Sequence, residues 1–255
     1  LEAVRPRLDG PAFAQPNGTS YGRGPRIEGR LAFLFPGQGS QSLFMGRDLA
    51  MALEPARAAW DELASLEFGE GSDLAPVHRV VFPPSVFTEE ARAAQTARLT
   101  ATEWAQPALG LASLASLRAL RALGIDADVF GGHSFGEVTA LHAAGAIDAE
   151  TLVRTARRRG ELMRDAALTP GAMWAMALGK RTIAELESVI EAPVVVANRN
   201  SKKQAVIAGP AAEVDAAAAK LKEQGFKGTR LQVATAFHSS VVAGSVEPFA
   251  AFLKG

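Results

Sequence analysis

Twice in this chain a short apolar run ends in a glycine-rich turn and passes into a stretch with helical spacing. That pattern restricts the fold more than any other feature. The first run is Leu31 to Phe35, closed by Pro36-Gly37-Gln38-Gly39-Ser40-Gln41; the second is Asp128 to Gly131, followed by Gly132-His133-Ser134-Phe135-Gly136 and then VTALHAAGAI, which ends near Gly145. A short apolar run bounded by turn residues reads as a buried strand. Between the two, apolar residues at 49, 53, 56, 60 and 63 predict a helix over about 45–66. Residues 67–88 read as loop and 89–103 as a polar helix. A helix started by Pro107 and capped by Gly124 would bury Leu109, Ala112, Leu117, Leu120 and Leu123. An arginine-rich helix is expected over about 149–166. Strand and helix alternating over 31–168 argue for an α/β layer structure with a largely parallel sheet.

Residues 171–234 read differently. GAMWAMAL is a strand, TIAELESVI a helix, APVVVANRN and QAVIAGP two more strands around a polar turn at 201–203. AAEVDAAAAKLKEQG is a helix closed by Gly225, and TRLQVA a last strand. The order β-α-β-β-α-β is the ferredoxin-like pattern. The expected organisation is therefore a linker or tail over 1–30, a large subdomain from 31–168 and 235–255, and an inserted ferredoxin-like subdomain over 169–234.

Composition removes several classes of function. The 255 residues hold 27 Lys plus Arg and 27 Asp plus Glu, so a chain devoted to duplex nucleic acid, which would be basic, is disfavoured. There is no cysteine, which excludes disulfides, zinc–thiolate and iron–sulfur sites and a Cys nucleophile, and fits a reducing, cytoplasmic setting. No apolar stretch is long enough to span a membrane, and the first 30 residues, scattered with Pro, Gly and Arg, lack the apolar segment of a signal peptide. A chain opening on such a stretch is expected to be a piece of a larger polypeptide.

Gly132-x-Ser134-x-Gly136 after a strand and before a helix is the context that a nucleophile elbow requires. The turn is so sharp that a side chain two residues either side of the serine would collide, and the following helix offers free N–H groups. Among the four histidines, His133 adjoins the serine and should point away from it. His142 sits two turns along the next helix, and His78 reads as a solvated loop residue. His238 ends an apolar run beside a turn, where α/β folds display reactive groups, and an imidazole can take and return the serine proton. A tetrahedral intermediate needs an oxyanion hole; the N–H of Phe135 is one candidate donor, and the Pro36–Gln41 loop is a candidate for the second. Arg154, Arg157, Arg158 and Arg159 cluster on one helix, one of them a candidate for holding a carboxylate, and periodicity does not choose among them.

FPGQGSQ (35–41), TEWAQPALG (102–110), GHSFGE (132–137), RRGELM (158–163), NRNSKKQAVIAG (198–209) and AFHSS (236–240) occur in that order. Together they resemble the malonyl-CoA:acyl carrier protein transacylases and the acyltransferase domains of polyketide and polyunsaturated-fatty-acid synthases, from about Leu31 to the end. The resemblance implies an α/β-hydrolase-like core carrying a ferredoxin-like subdomain. It implies Ser134 as the acylated nucleophile and His238 as its base in a dyad without an Asp. The oxyanion N–H groups would be those of Gln38 and Phe135. Arg159 would pair with the malonyl carboxylate, Gln106 would lie near it, and Phe237 would favour malonyl over methylmalonyl. It also implies malonyl-CoA and an acyl carrier protein as partners, coenzyme A thioester as substrate with no bound cofactor, and neighbouring synthase domains such as a ketosynthase. Nucleic acid and membrane are not expected partners. The family continues past its catalytic histidine, where a segment supplies the carbonyl that orients the imidazole, so this chain is expected to lack that part. Two other readings compete: an esterase or editing thioesterase on the same Ser–His pair, and a non-catalytic acyltransferase-like docking domain.

Overall fold

A computed structural model describes residues 9–16, 20–22, 28–231, 233 and 235–255. The chain separates into two compact units, Leu1–Leu31 and Ala32–Gly255. In the first, Phe13–Ala14 pairs antiparallel with Ser20–Tyr21, and the Phe13 and Tyr21 rings lie 5.9 Å apart. The rest of the stretch read as a linker falls mostly outside the described residues.

In the second unit, β1 (Ala32–Phe35) and β2 (Val129–Gly132) pair in parallel, Phe35 opposite Gly132. The connection between them holds α1 (Arg47–Ala52), α2 (Glu54–Glu62), α3 (Val77–Val81), α4 (Glu89–Thr100) and α5 (Thr102–Ala122). After β2 come α6 (Gly136–Ala143) and α7 (Ala149–Ala166), the latter capped by Asp148, whose Oδ1 accepts from the Thr151 N–H at 2.7 Å. Helix α5 is central. Its Trp104, Ala108, Leu111 and Leu114 pack against Ala59 and Trp60 of α2 and Val77, Val80 and Val81 of α3. Its other flank meets α7 closely, because residue 160 is glycine: a Cβ there would lie 2.5 Å from the Thr102 carbonyl oxygen and 2.5 Å from Glu103 Cα.

Next follow β3 (Gly171–Ala177), α8 (Ile183–Glu187), β4 (Val195–Ser201), β5 (Gln204–Pro210), α9 (Ala211–Glu223) and β6 (Lys227–Arg230). The strands form one antiparallel sheet in the order β6-β3-β5-β4, the ferredoxin-like arrangement. Met176, Ile207, Leu186, Val214 and Leu221 make its core against the two helices, each large side chain contributing roughly 1.5–3 kcal/mol by burial. A 3₁₀ turn (Ser240–Ser245) and α10 (Val246–Phe252) close the described chain.

Five local expectations are corrected. The single helix over 45–66 is two helices broken at Leu53, which is extended (φ −126°, ψ 118°), because Pro55 lacks the N–H that would bond back across the break. The loop over 67–88 contains α3 and a two-residue ladder between Glu67–Phe68 and Ala75–Pro76; burial of three valines outweighs their weak helix propensity. Helix α5 begins at Thr102, not at Pro107. The Glu103 carbonyl, deprived by Pro107 of its intrahelical donor, accepts from Arg157 Nη1 of α7 at 3.3 Å. Gly124 does cap that helix, with φ +75° and the paired bonds Gly124 N–H to Arg121 C=O and Ile125 N–H to Leu120 C=O, but Leu123 beside it is 64 % exposed. Finally, β6 occupies 227–230 rather than 229–234, and residues 232 and 234 lie outside the described residues.

Candidate active site

Ser134 sits in the turn between β2 and α6 with φ +53°, a left-handed conformation that non-glycine residues rarely adopt. Close backbone holds it there. A Cβ on Gly132 would lie 2.0 Å from the Gly136 carbonyl carbon, and one on Gly136 would lie 2.1 Å from the Phe35 oxygen. The His133 N–H donates to that same Phe35 carbonyl at 3.0 Å, tying the turn to β1. With the turn so fixed, the serine hydroxyl projects beyond the carboxyl ends of both parallel strands.

His238 is the second strained residue, at φ +56°. Its loop is seated by Ala236 and Phe237, which pack with Met163, Met173 and Val206. Gly171 allows the close approach, since a Cβ there would lie 2.6 Å from that of Ala236. Ser239 fastens the loop's far side, its Oγ donating to the Ala236 carbonyl at 2.7 Å. The result is a hydrogen bond of 2.7 Å between Ser134 Oγ and His238 Nε2, across 104 residues of sequence.

A cavity of about 130 Å³ surrounds the pair. Gln38, Phe135, Arg159 and Phe237 line it from the large part of the unit; Met173, Asn198, Asn200 and Val206 line it from the antiparallel sheet. Among the described residues, no protein acceptor is bonded to the backbone N–H of Gln38 or of Phe135. Gln106 is buried behind Arg159 rather than in the cavity, and its Oε1 accepts from Arg159 Nη1 at 2.8 Å.

The arginine cluster divides. Arg154 and Arg158 are exposed and paired with Glu150 and Glu161. Arg157, 4 % exposed, is paired with Glu161 at 2.7 Å and lies 4.3 Å over the Trp104 ring. Arg159 is half-buried and, among the described residues, has no carboxylate within 4 Å. Burial lowers its pKa, opposed by the charge of Glu137. His238 is likewise held below the ordinary imidazole value, by burial first and then by Arg159 and His133, against the opposing effect of Glu137. The lowered pKa favours the neutral ring, the form that can accept a proton.

The other histidines are elsewhere. His142 Nδ1 bonds the Ile147 carbonyl at 2.9 Å and closes the end of α6. His78 lies on α3, half-buried, and not in a solvated loop. His133 turns to Asn200 Oδ1 on β4 at 3.1 Å. Asn198 and Asn200 are cavity residues that lie within the NRNSKKQAVIAG motif but are given no role in the site by the sequence. Their spacing of two on a strand puts both on one face, which is the signal that would have found them. No group of three or more His, Asp or Glu close enough to hold a metal ion occurs among the described residues, and none of their helices is long and apolar enough to cross a membrane.

The acyl transferase domain family matches residues 32–254, and the chain belongs to that family. It is 36 % identical over 225 residues to the malonyl CoA-acyl carrier protein transacylase of Bacillus subtilis, covering 86 % of this chain and 66 % of that protein. It is 32 % identical over 222 residues to a component of the polyunsaturated fatty acid synthase of Thraustochytrium sp., covering 85 % of this chain and 8 % of that protein. Among solved structures, the malonyl CoA-acyl carrier protein transacylase of Coxiella burnetii superposes with a TM-score of 0.75 at 31 % identity, covering 88 % of this chain and 67 % of that one. The acyltransferase domain from the second module of the salinomycin polyketide synthase gives 0.73 at 34 %, covering 88 % and 49 %. The chain thus spans under two thirds of the first two relatives, and the fold class it shares with the solved structures is α/β.

Proposed function

We propose that the chain is a serine-dependent acyltransferase that moves a malonyl group from malonyl-coenzyme A to the phosphopantetheine thiol of an acyl carrier protein, in the cytoplasm and as part of polyketide or fatty acid synthesis. The observation that carries this reading is the Ser134 Oγ–His238 Nε2 bond of 2.7 Å in one small cavity with Arg159. His238 Nε2 takes the Ser134 proton as Oγ attacks the thioester carbonyl carbon. The negative charge on the carbonyl oxygen is held by the N–H groups of Gln38 and Phe135. Collapse breaks the C–S bond, and the proton on Nε2 goes to the departing coenzyme A thiolate. The malonyl-Ser134 ester then holds its carboxylate on the Arg159 guanidinium, an ionic and bidentate contact. In the second half, Nε2 takes the proton of the carrier's thiol, the sulfur attacks the ester carbonyl, and the same proton returns to Ser134 Oγ. No bound cofactor enters these steps.

A cavity of about 130 Å³ has room for the acyl group and its thioester but not for the pantetheine arm. Leu231 and Val233 border both this cavity and a groove of about 870 Å³ along α4 that also contains Arg92 and Arg230. The arm leaves through that groove in this reading, its phosphates towards the two guanidiniums. Phe237, buried against the cavity, limits the space beside the α-carbon and so favours malonyl over methylmalonyl. An esterase for neutral acyl chains gains nothing from Arg159, because an unpaired buried cation is costly. The test is intact-mass measurement after mixing the protein with malonyl-, methylmalonyl- and acetyl-coenzyme A. One malonyl adduct, retained in water and released by pantetheine, supports transfer; rapid hydrolysis of the adduct supports a thioesterase instead.

A further inference from the structure

Two residues that line the cavity, Arg159 and Gln38, are joined inside the protein by an unbroken run of hydrogen bonds. Arg159 Nη1 donates to Gln106 Oε1 at 2.8 Å; Gln106 Nε2 donates to Thr102 Oγ1 at 2.9 Å; Thr102 Oγ1 donates to Gln38 Oε1 at 2.9 Å; and Gln38 Nε2 donates to the Thr100 carbonyl at 3.3 Å. Its two ends fix its direction. A guanidinium can only donate and a backbone carbonyl can only accept, so each amide between them has one permitted orientation. The Thr102 hydroxyl is the single member that both accepts and donates through one atom. It is 2 % exposed and Gln106 is 1 % exposed, so no water replaces either partner. Gly160, adjacent to Arg159, brings α7 to within contact of the Thr102 carbonyl, where any larger residue would push the two helices apart.

We infer that Thr102 is a positioning residue that couples recognition of the acyl carboxylate to the shape of the oxyanion loop. This rests on the acyltransferase reading of the site. Gln38 is gripped at both side-chain atoms, so its backbone N–H is held where the thioester oxygen arrives. Gln106 is gripped by the same hydroxyl and holds Arg159 at the angle a carboxylate needs. A carboxylate bound on Arg159 draws on a guanidinium already donating into this chain, so charge at one end and loop geometry at the other are set together. Members of such a network support one another, because an unpaired polar group is costly where water is scarce.

Thr102→Val preserves shape and removes the hydroxyl; Thr102→Ser restores it. In the valine variant the rate constant for malonyl loading of Ser134 falls roughly tenfold, less than the loss expected for removing an oxyanion donor outright. The preference for malonyl- over acetyl-coenzyme A falls with it, and the serine variant recovers both. A second readout needs no catalysis: exchange of the Gln106 and Gln38 side-chain amide protons, followed by NMR, accelerates in Thr102→Val and returns to the parent rate in Thr102→Ser. Unchanged amide exchange in Thr102→Val, or a serine variant as impaired as the valine one, would overturn the inference. So would a loading rate and a malonyl preference both within twofold of the parent. If the parent protein itself fails to acquire malonyl on Ser134, the acyltransferase reading is what fails, and the amide exchange still decides whether the coupling exists.

Discussion

Two faces of α7 carry arginines only two positions apart, and the chain treats them in opposite ways. At about 100° per residue, Arg157 and Arg159 point well away from one another around the helix. Arg157 enters the α5–α7 interface, where Glu161, the Glu103 carbonyl and the Trp104 and Phe68 rings neutralise and cover it. Arg159 enters the cleft, where its hydrogen-bond partner among the described residues is the neutral Gln106 amide. The same residue type thus serves as a brace where its charge is matched internally and, in the proposed function, as a ligand-binding group where it is not. A half-buried cation left without a carboxylate of its own is maintained at a cost, which an incoming carboxylate offsets.

That contrast can be broken by substitution. Arg159→Ala should lower the malonyl-over-acetyl loading ratio about 100-fold, the loss of charge-assisted bonds of ~2–3 kcal/mol, measured by intact mass under competition. An unchanged ratio would remove the carboxylate role. Arg157→Ala should do the reverse: it leaves that ratio within a few fold while reducing stability by ~2–3 kcal/mol in urea unfolding, below the usual range for breaking a buried pair because Glu161 keeps some water. Equal effects of the two substitutions on both measurements would erase the distinction. Phe237→Ser, in the wall of the same cavity, should relax rejection of methylmalonyl by about tenfold, the scale of one methyl group in a tight pocket.

How much of this was legible beforehand follows from range. Ser134 and His238 announce themselves locally, each ending an apolar run beside a turn, and Gly132 marks the elbow because its crowding comes from Gly136 and Glu137 close by, whereas Gly136 is crowded by Phe35 and Pro36 at the end of a distant strand. The ferredoxin-like strand order was legible too, since alternating strands and helices are a local pattern. The fate of each arginine was not, because helical spacing gives direction around an axis but not what lies there. Helix α3 was missed because its three valines are helical only when buried by α5 and α2. The start of α5 was misplaced because the partner that lets Pro107 sit inside a helix, Arg157, comes 50 positions later. Nor does any local signal reveal that Thr102 joins Gln38 to Gln106.

The smallest effect concerns pH and sharpens the same contrast. His238 must be neutral to accept the serine proton, so loading falls as pH drops through its pKa. Burial and Arg159 hold that pKa below the ordinary imidazole value of 6.5, which puts the acid limb of kcat/KM on the low side of 6.5. Removing Arg159 takes away a lowering charge and should move the limb upward; removing Arg157 should leave it in place. Glu137→Gln takes away a raising charge and should move it downward.

The proposed function depends on Ser134 receiving the acyl group with His238 as its base. The most direct measurement is peptide mapping of the protein after a brief exposure to malonyl-coenzyme A. One malonyl ester is expected, on the peptide containing Ser134, absent in Ser134→Ala and formed far more slowly in His238→Ala. Full labelling of Ser134→Ala, or loading of His238→Ala at the parent rate, would contradict it.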